Sequence, residues 1–263
     1  MKKLLLFLFC ILFFSATNAL AVEIAWMHVQ HRQYASGKSF DRLGFGLIDD
    51  HGYYITDNKN IVEIKLYNAD KKELKLSTVE FESVEEVSGS YDYKNSQWYY
   101  NKDWQFESWF SAGILDSLNA GIYRLKITAA DGKSVERTFI FNNRVSLPIV
   151  DSKSFKIDMD QAGNLIWSWS IPVELGQLSL NQKMRARAAI DIYKNKKPVG
   201  YFSIILPVHM GYVFIPQDVA QLIDQKGNQF EMKILIETRD KNNRTYSAPL
   251  IVKEMRPIMS DKR

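Results

Sequence analysis

The sequence predicts an all-β protein: two antiparallel β-sandwich domains in tandem after a signal peptide. Three observations carry this. Short segments of alternating apolar and polar residues are separated by polar turns along most of the chain. Helical periodicity is confined to one short stretch. Aromatic residues, which pack well on a pleated surface, make up 13% of the chain.

The first 21 residues read as a secretory signal. Lys2 and Lys3 form a positive start, Leu4 to Phe14 are an unbroken apolar run, and Ala19-Leu20-Ala21 is a small-x-small cleavage site. The run is too short to span a bilayer, which needs about 20 apolar residues. Cys10 lies inside the run after a large residue, Phe9, so it lacks the setting of a lipid-modified cysteine. The chain is therefore expected to be exported, periplasmic or secreted, with no membrane insertion once cleaved near Ala21. Cys10 is the only cysteine, and its removal excludes disulfides, thiolate metal sites and a cysteine nucleophile. Two of the four net positive charges are Lys2 and Lys3. The near-neutral remainder argues against a nucleic-acid partner. The basic clusters Lys194–Lys197 and Lys183–Arg187 read as a solvated turn and a solvated strand face.

Taken in order, Phe45 to Ile55 is a hairpin around Asp49-Asp50-His51-Gly52. Ile61 to Tyr67 alternates, breaks at Asn68 to Lys72 and resumes at Leu74-Lys75-Leu76. Tyr123 to Ile127 and Val135 to Phe141 flank the turn Asp131-Gly132-Lys133. Phe155 to Met159 turns at Gln161–Asn164 into Leu165 to Ile171, which carries Trp167 and Trp169 on one face. Ala189 to Tyr193 and Val199 to Leu206 flank Lys194 to Pro198, and Phe230 to Thr238 and Thr245 to Val252 close the series. The one helix candidate is Gln217 to Asp224 after Pro216, with Val219, Leu222 and Ile223 on one face. A polar stretch from Asn142 to Ser154 divides the chain. The expected division is 1–21 signal peptide, 22–146 first sandwich, 147–255 second sandwich and 256–263 polar tail.

The stretch Leu118-Asn119-Ala120-Gly121-Ile122-Tyr123-Arg124-Leu125 resembles the approach to the penultimate strand of immunoglobulin-like domains, where a tyrosine closes a corner. The resemblance implies that the Tyr123 hydroxyl bonds nearby backbone, between Asp116 and Ala120. The second half resembles a fibronectin type III-like module, with Trp167 on an early strand and a closing hairpin from Phe230 to Val252. Together these imply tandem immunoglobulin-like and fibronectin type III-like domains of an exported bacterial protein, with Tyr123, Trp167 and Trp169 structural. Such sandwiches host many unrelated roles, so the resemblance speaks to fold alone.

Catalytic and metal signatures are sparse. His28 and His31 have His-x-x-His spacing, but strand positions three apart point to opposite faces. They read as two solvent histidines rather than ligands. Asp158 to Asn164 has acids at positions one and three of a calcium-type loop, but Ala162 and Trp169 stand where oxygen ligands belong. It reads as a hairpin turn with Gly163 at positive φ. Gly44-Phe45-Gly46 lacks the third glycine of a dinucleotide loop, and no nucleophile elbow occurs. Glu82, Glu85 and Glu86 read as a solvated acidic loop rather than an acid–base pair. No catalytic residue, metal or cofactor is expected.

The aromatic stretch from Tyr91 to Phe110 is the candidate binding surface. With Lys94 to Gln97 as a turn, Tyr93 faces Trp98 and Tyr91 faces Tyr100, placing Tyr91, Tyr93, Trp98 and Tyr100 on one side of a ribbon. Those rings serve either as a platform for a ligand or as packing onto the first domain's core. Trp104, Phe106 and Phe110 read as an inward strand face. The expected function is an exported, non-catalytic interaction or assembly module of the cell envelope or extracellular space, acting on a protein partner or a glycan. A carbohydrate-binding module using residues 91–100 is one alternative, and a hydrolase of unrecognised type the other.

Overall fold

A computed structural model describes residues 22–57, 59, 61–92, 94–141, 146–177, 184–239 and 244–254. Residues 1–21, Tyr93, the first four residues of the expected inter-domain linker and the 256–263 tail lie outside the described residues. The first half contributes β1 (Glu23–Gln33), β2 (Ser39–Ile48), β3 (Ile61–Tyr67), β4 (Glu73–Leu74), β5 (Glu80–Asp92), β6 (Gln97–Tyr100), β7 (Gln105–Ile114), β8 (Gly121–Ala129) and β9 (Ser134–Phe141). The second contributes β10 (Lys156–Met159), β11 (Leu165–Ser168), β12 (Met184–Lys194), β13 (Lys197–Pro207), β14 (Tyr212–Ile215), helix α1 (Gln217–Lys226), β15 (Gln229–Arg239) and β16 (Arg244–Glu254).

The turns form where local chemistry directs them. Asp49 Oδ1 accepts from the main-chain N–H of His51 and Tyr53, fixing the turn after β2. Asn195 and Lys196 both take positive φ, 54° and 64°, which makes the two-residue loop whose twist matches the β12–β13 hairpin. Asp160 accepts from Ala162 N, Asn164 N and the Asn164 amide, and Gly163 sits at φ 83°, so this segment is a hairpin turn. Helix α1 starts after Pro216, whose carbonyl accepts from Ala220 N, and it buries Val219, Ala220 and Ile223.

The protein is all-β, with antiparallel sheets stacked in layers. The largest sheet runs β13-β12-β15-β16-β1-β2-β7-β5-β6, and β13 also pairs with β5. That extra pairing closes eight strands into a ring and leaves β6 as an appendage on β5. Two seams of the ring are parallel, β1 with β16 and β13 with β5, and both join the two halves of the chain. The sheet β4-β3-β8-β9 covers one side of the ring, over an apolar cluster centred on Phe45, Phe110, Leu66 and Leu125. The sheet β10-β11-β14 and α1 cover the other, over Trp167, Phe202, Ile204 and Ile190. The expected boundary is therefore crossed by continuous main-chain hydrogen bonding. Packing crosses it too: Val87, Trp98, Tyr100 and Trp104 from the first half join the second cluster.

The Tyr123 ring is 5% exposed. Its hydroxyl donates to Asn119 O at 2.8 Å and accepts from Asn119 N at 3.0 Å, closing a corner before β8. Phe139 stacks on it at 5.5 Å.

Candidate functional site

The β5–β6 ribbon pairs in a different register from the expected one. Asp92 opposes Gln97, Tyr91 opposes Trp98, and Gly89 opposes Tyr100. Asp92 sets this register: its Oδ1 accepts from Lys94 N at 2.8 Å and its Oδ2 from the Asn95 amide, and Ser96 turns the chain at φ 53°. Gly89 opposite Tyr100 has a steric reason, since a Cβ at Gly89 meets the Tyr100 ring at 3.0 Å and Ile204 at 3.1 Å. The expected pairing of Tyr93 with Trp98 lies partly outside the described residues and is replaced by Tyr91 with Trp98.

The ribbon's ring-bearing face leans onto the second apolar cluster, not onto the first domain's core. Trp98 and Tyr100 are half-buried against it. The Tyr100 hydroxyl donates to Phe214 O on β14, fastening the ribbon over that strand's edge. Burial pushes the Tyr100 hydroxyl pKa well up. Trp98 remains part of a ring cluster at the surface, with Tyr91 at 4.8 Å and 58° and Tyr212 at 6.0 Å and 68°. Tyr212 is 45% exposed, and Tyr99, on the ribbon's opposite face, is 48% exposed. Tyr212 had no local sequence signal; it reaches Trp98 only because β14 lies under the ribbon. The expected inward face of Trp104, Phe106 and Phe110 divides three ways. Phe110 is core, Trp104 packs on the second cluster under Lys226 Nζ at 4.6 Å, and Phe106 is 61% exposed.

The inside of the ring is polar. Along each strand the residues facing the apolar clusters alternate with the set facing inward. Arg187 Nε donates to Glu237 Oε1 at 3.1 Å and Arg187 Nη1 to Ser203 Oγ at 3.2 Å, while Ser203 Oγ donates to Glu86 at 2.7 Å. Arg185 Nε donates to the other Glu237 oxygen at 3.0 Å. Arg42 donates to Glu82 and to Ser111 Oγ. Lys233 pairs with Asp191 and with Glu231 at 3.1 Å. Burial alone would lower the Arg187 pKa, but the charge and hydrogen bond of Glu237, with Tyr201 and Glu86, outweigh it and the net shift is upward. Burial, then the nearby Glu86 carboxylate, raises the Glu107 pKa. Lys233, Asp191 and Arg42 keep 17%, 24% and 27% exposure, so water reaches these charges.

Two sequence expectations are corrected by this network. Glu82, Glu85 and Glu86 are not a loop: they lie on β5, two of them in the network and Glu85 paired with Lys226. Arg185 and Arg187 do not form a solvated face but hold β12 to β15. Their signal was present as alternation, which distinguishes two faces without saying whether the polar one meets solvent or another wall.

His31 is buried and His28 half-buried, so neither is the solvent group expected. His31 is 6% exposed with Nδ1 2.8 Å from Asp41 Oδ1. His28 stacks on Trp26 at 5.4 Å and 7°, and both rings lie over glycines: a Cβ at Gly44 meets the His28 ring at 2.8 Å, and one at Gly46 meets Trp26 at 2.3 Å. Among the described residues no group of histidine, aspartate, glutamate or cysteine side chains is arranged to hold a metal ion. No helix among them is long and apolar enough to cross a membrane.

No known protein family matches the chain, and no curated protein matches it.

Proposed function

We propose that the chain is an exported, non-catalytic interaction module of the cell envelope or extracellular space, and that Tyr91, Trp98 and Tyr212 form the surface it presents to a protein partner. The observation that carries this is a ring cluster assembled from three separate strands and left partly open. The ribbon is fastened by Tyr100, so the rings are ordered before a partner arrives, which reduces the entropy lost on binding. Aromatic side chains are enriched at such contact centres. The signal-like first 21 residues support export. The Tyr123 corner supports an immunoglobulin-like lineage for the first half, and the buried Trp167 a fibronectin type III-like one for the second.

The test is a photo-crosslinking residue placed at Tyr212 in the exported chain, with Lys126 on the far covering sheet as control. The reading expects one discrete adduct from Tyr212, lost in Tyr91→Ala at unchanged melting temperature. Equal adducts from both positions would overturn it. A glycan is the second reading, favoured by the inclined, partly open rings, whose faces are apolar and whose edges carry hydroxyl and indole N–H groups. It expects saccharide-dependent quenching of Trp98 fluorescence, absent in Tyr212→Ala.

A further inference from the structure

In the second apolar cluster two donors lack an acceptor. Trp167 and Trp169 are 0% and 5% exposed, and neither indole Nε1 has a hydrogen-bond partner. Among the described residues these are the only buried side-chain polar atoms in that state. They stand two positions apart and belong to the same cluster, so both face the gap between β11 and the ring wall. Buried indole N–H groups ordinarily find an acceptor, because the hydration they lose must be replaced. One exception calls for a local reason; two neighbours on one face call for a shared one.

We propose that this core is a binding site for a neutral oxygen acceptor held against the two indoles. The acceptor is either an internal water or the carbonyl or ether oxygen of an apolar small molecule. The indole donates and cannot accept, so the guest must bring lone pairs. The guest must be neutral, because the buried side chains of the cluster are all apolar and offer no cation to an anion stripped of water. Apolar surface lies next to the Trp169 end. Trp169 N donates to Gly211 O at 2.8 Å, and around that corner Ile171, Val173 and Tyr212 are 39%, 82% and 45% exposed. This proposal stands independently of the partner surface on the ribbon.

The test uses the full exported chain, isotope-labelled and purified without denaturation. Each tryptophan is replaced in turn by benzothienylalanine, which keeps the ring's size and removes its N–H. The proposal expects a lower denaturation midpoint at unchanged slope for either replacement. It also expects one of two signatures. Magnetisation transfer from water to both indole protons identifies an internal water. A stoichiometric compound in the organic extract, whose removal shifts both indole resonances, identifies a small molecule. If a replaced chain does not fold, these two signatures on the unmodified protein decide alone. Absence of both, or an unchanged or raised midpoint, would mean that the indoles stand unpaired and the proposal is wrong.

Discussion

At Tyr123 a single hydroxyl serves as donor and acceptor to one residue, Asn119. Tyr123→Phe keeps the ring stack on Phe139 and removes both bonds. It is expected to cost about 1 kcal/mol or somewhat more, seen as a lower denaturation midpoint with the slope unchanged. Other tyrosines set an alkaline limit. Burial first, then the carboxylates of Asp191 and Glu231, push the Tyr193 hydroxyl up to about 12. Burial raises Tyr100 and Tyr201 as well. The fold thus favours the protonated phenols more than the unfolded chain does. That stabilisation is fully present below the unfolded value, near 10, and is lost as pH rises through the folded one. Unfolding midpoints are expected to hold up to about pH 10 and to fall above it. Phenolate absorbance followed in parallel should show a late-titrating fraction of tyrosines that merges with the rest once the chain unfolds. A late fraction missing from the folded protein would refute this.

Among the elements, the β1–β2 pair shows how a ring and a glycine fit together. Trp26 opposes Gly46 and His28 opposes Gly44, and the two rings lie flat in the space that side chains would fill. Gly46→Ala places a methyl against the Trp26 indole and is expected to destabilise by roughly 1–3 kcal/mol, as overpacking does. Gly52→Ala, in an open turn at φ 82°, tests backbone conformation alone and should leave Trp26 fluorescence unmoved. The hairpins were legible in the sequence because their turns are local: Asp49, Asp160 and Asn195 each act on backbone within four residues. The ribbon register was not, because it depends on where the turn opens, and a two-residue shift re-pairs every ring while leaving each on the same face. The Glu82–Glu86 part of β5 was read as a loop for a related reason. Glutamates are depleted in strands, and nothing local reveals that Glu82 and Glu86 meet Arg42 and Ser203, which lie far away in the chain.

For the whole molecule, the closed ring changes how the halves are expected to come apart. Two parallel seams and the Ser203–Glu86 hydrogen bond inside the ring join them, and Lys226–Glu85 and Lys102–Asp218 add contacts outside. A protease site built into the exposed Ser152–Ser154 turn should therefore yield two pieces that co-elute and melt in one transition. Two pieces that separate without denaturant would mean that the seams contribute little and the halves are independent domains. The seams were invisible in the sequence because a parallel pairing carries no connecting turn, and its partners lie far apart along the chain. The candidate surface was half legible: its aromatic density marked the ribbon, while Tyr212 entered it only through tertiary placement.

The seam between β1 and β16 has a consequence in time. The strand at the start of the described chain hydrogen-bonds to the last strand, so Val29 to Arg32 have no partner on that edge until Arg244 to Ser247 arrive. Ring closure must await nearly the entire polypeptide, and contacts of such sequence separation form slowly. A chain threaded through a membrane from its N-terminus would cross with β1 unmatched and fold only after its C-terminal hairpin emerged. Late closure would leave the ring of such a chain unformed during passage. It also leaves β1 open, during that interval, to pairing with the β16 of a neighbouring chain.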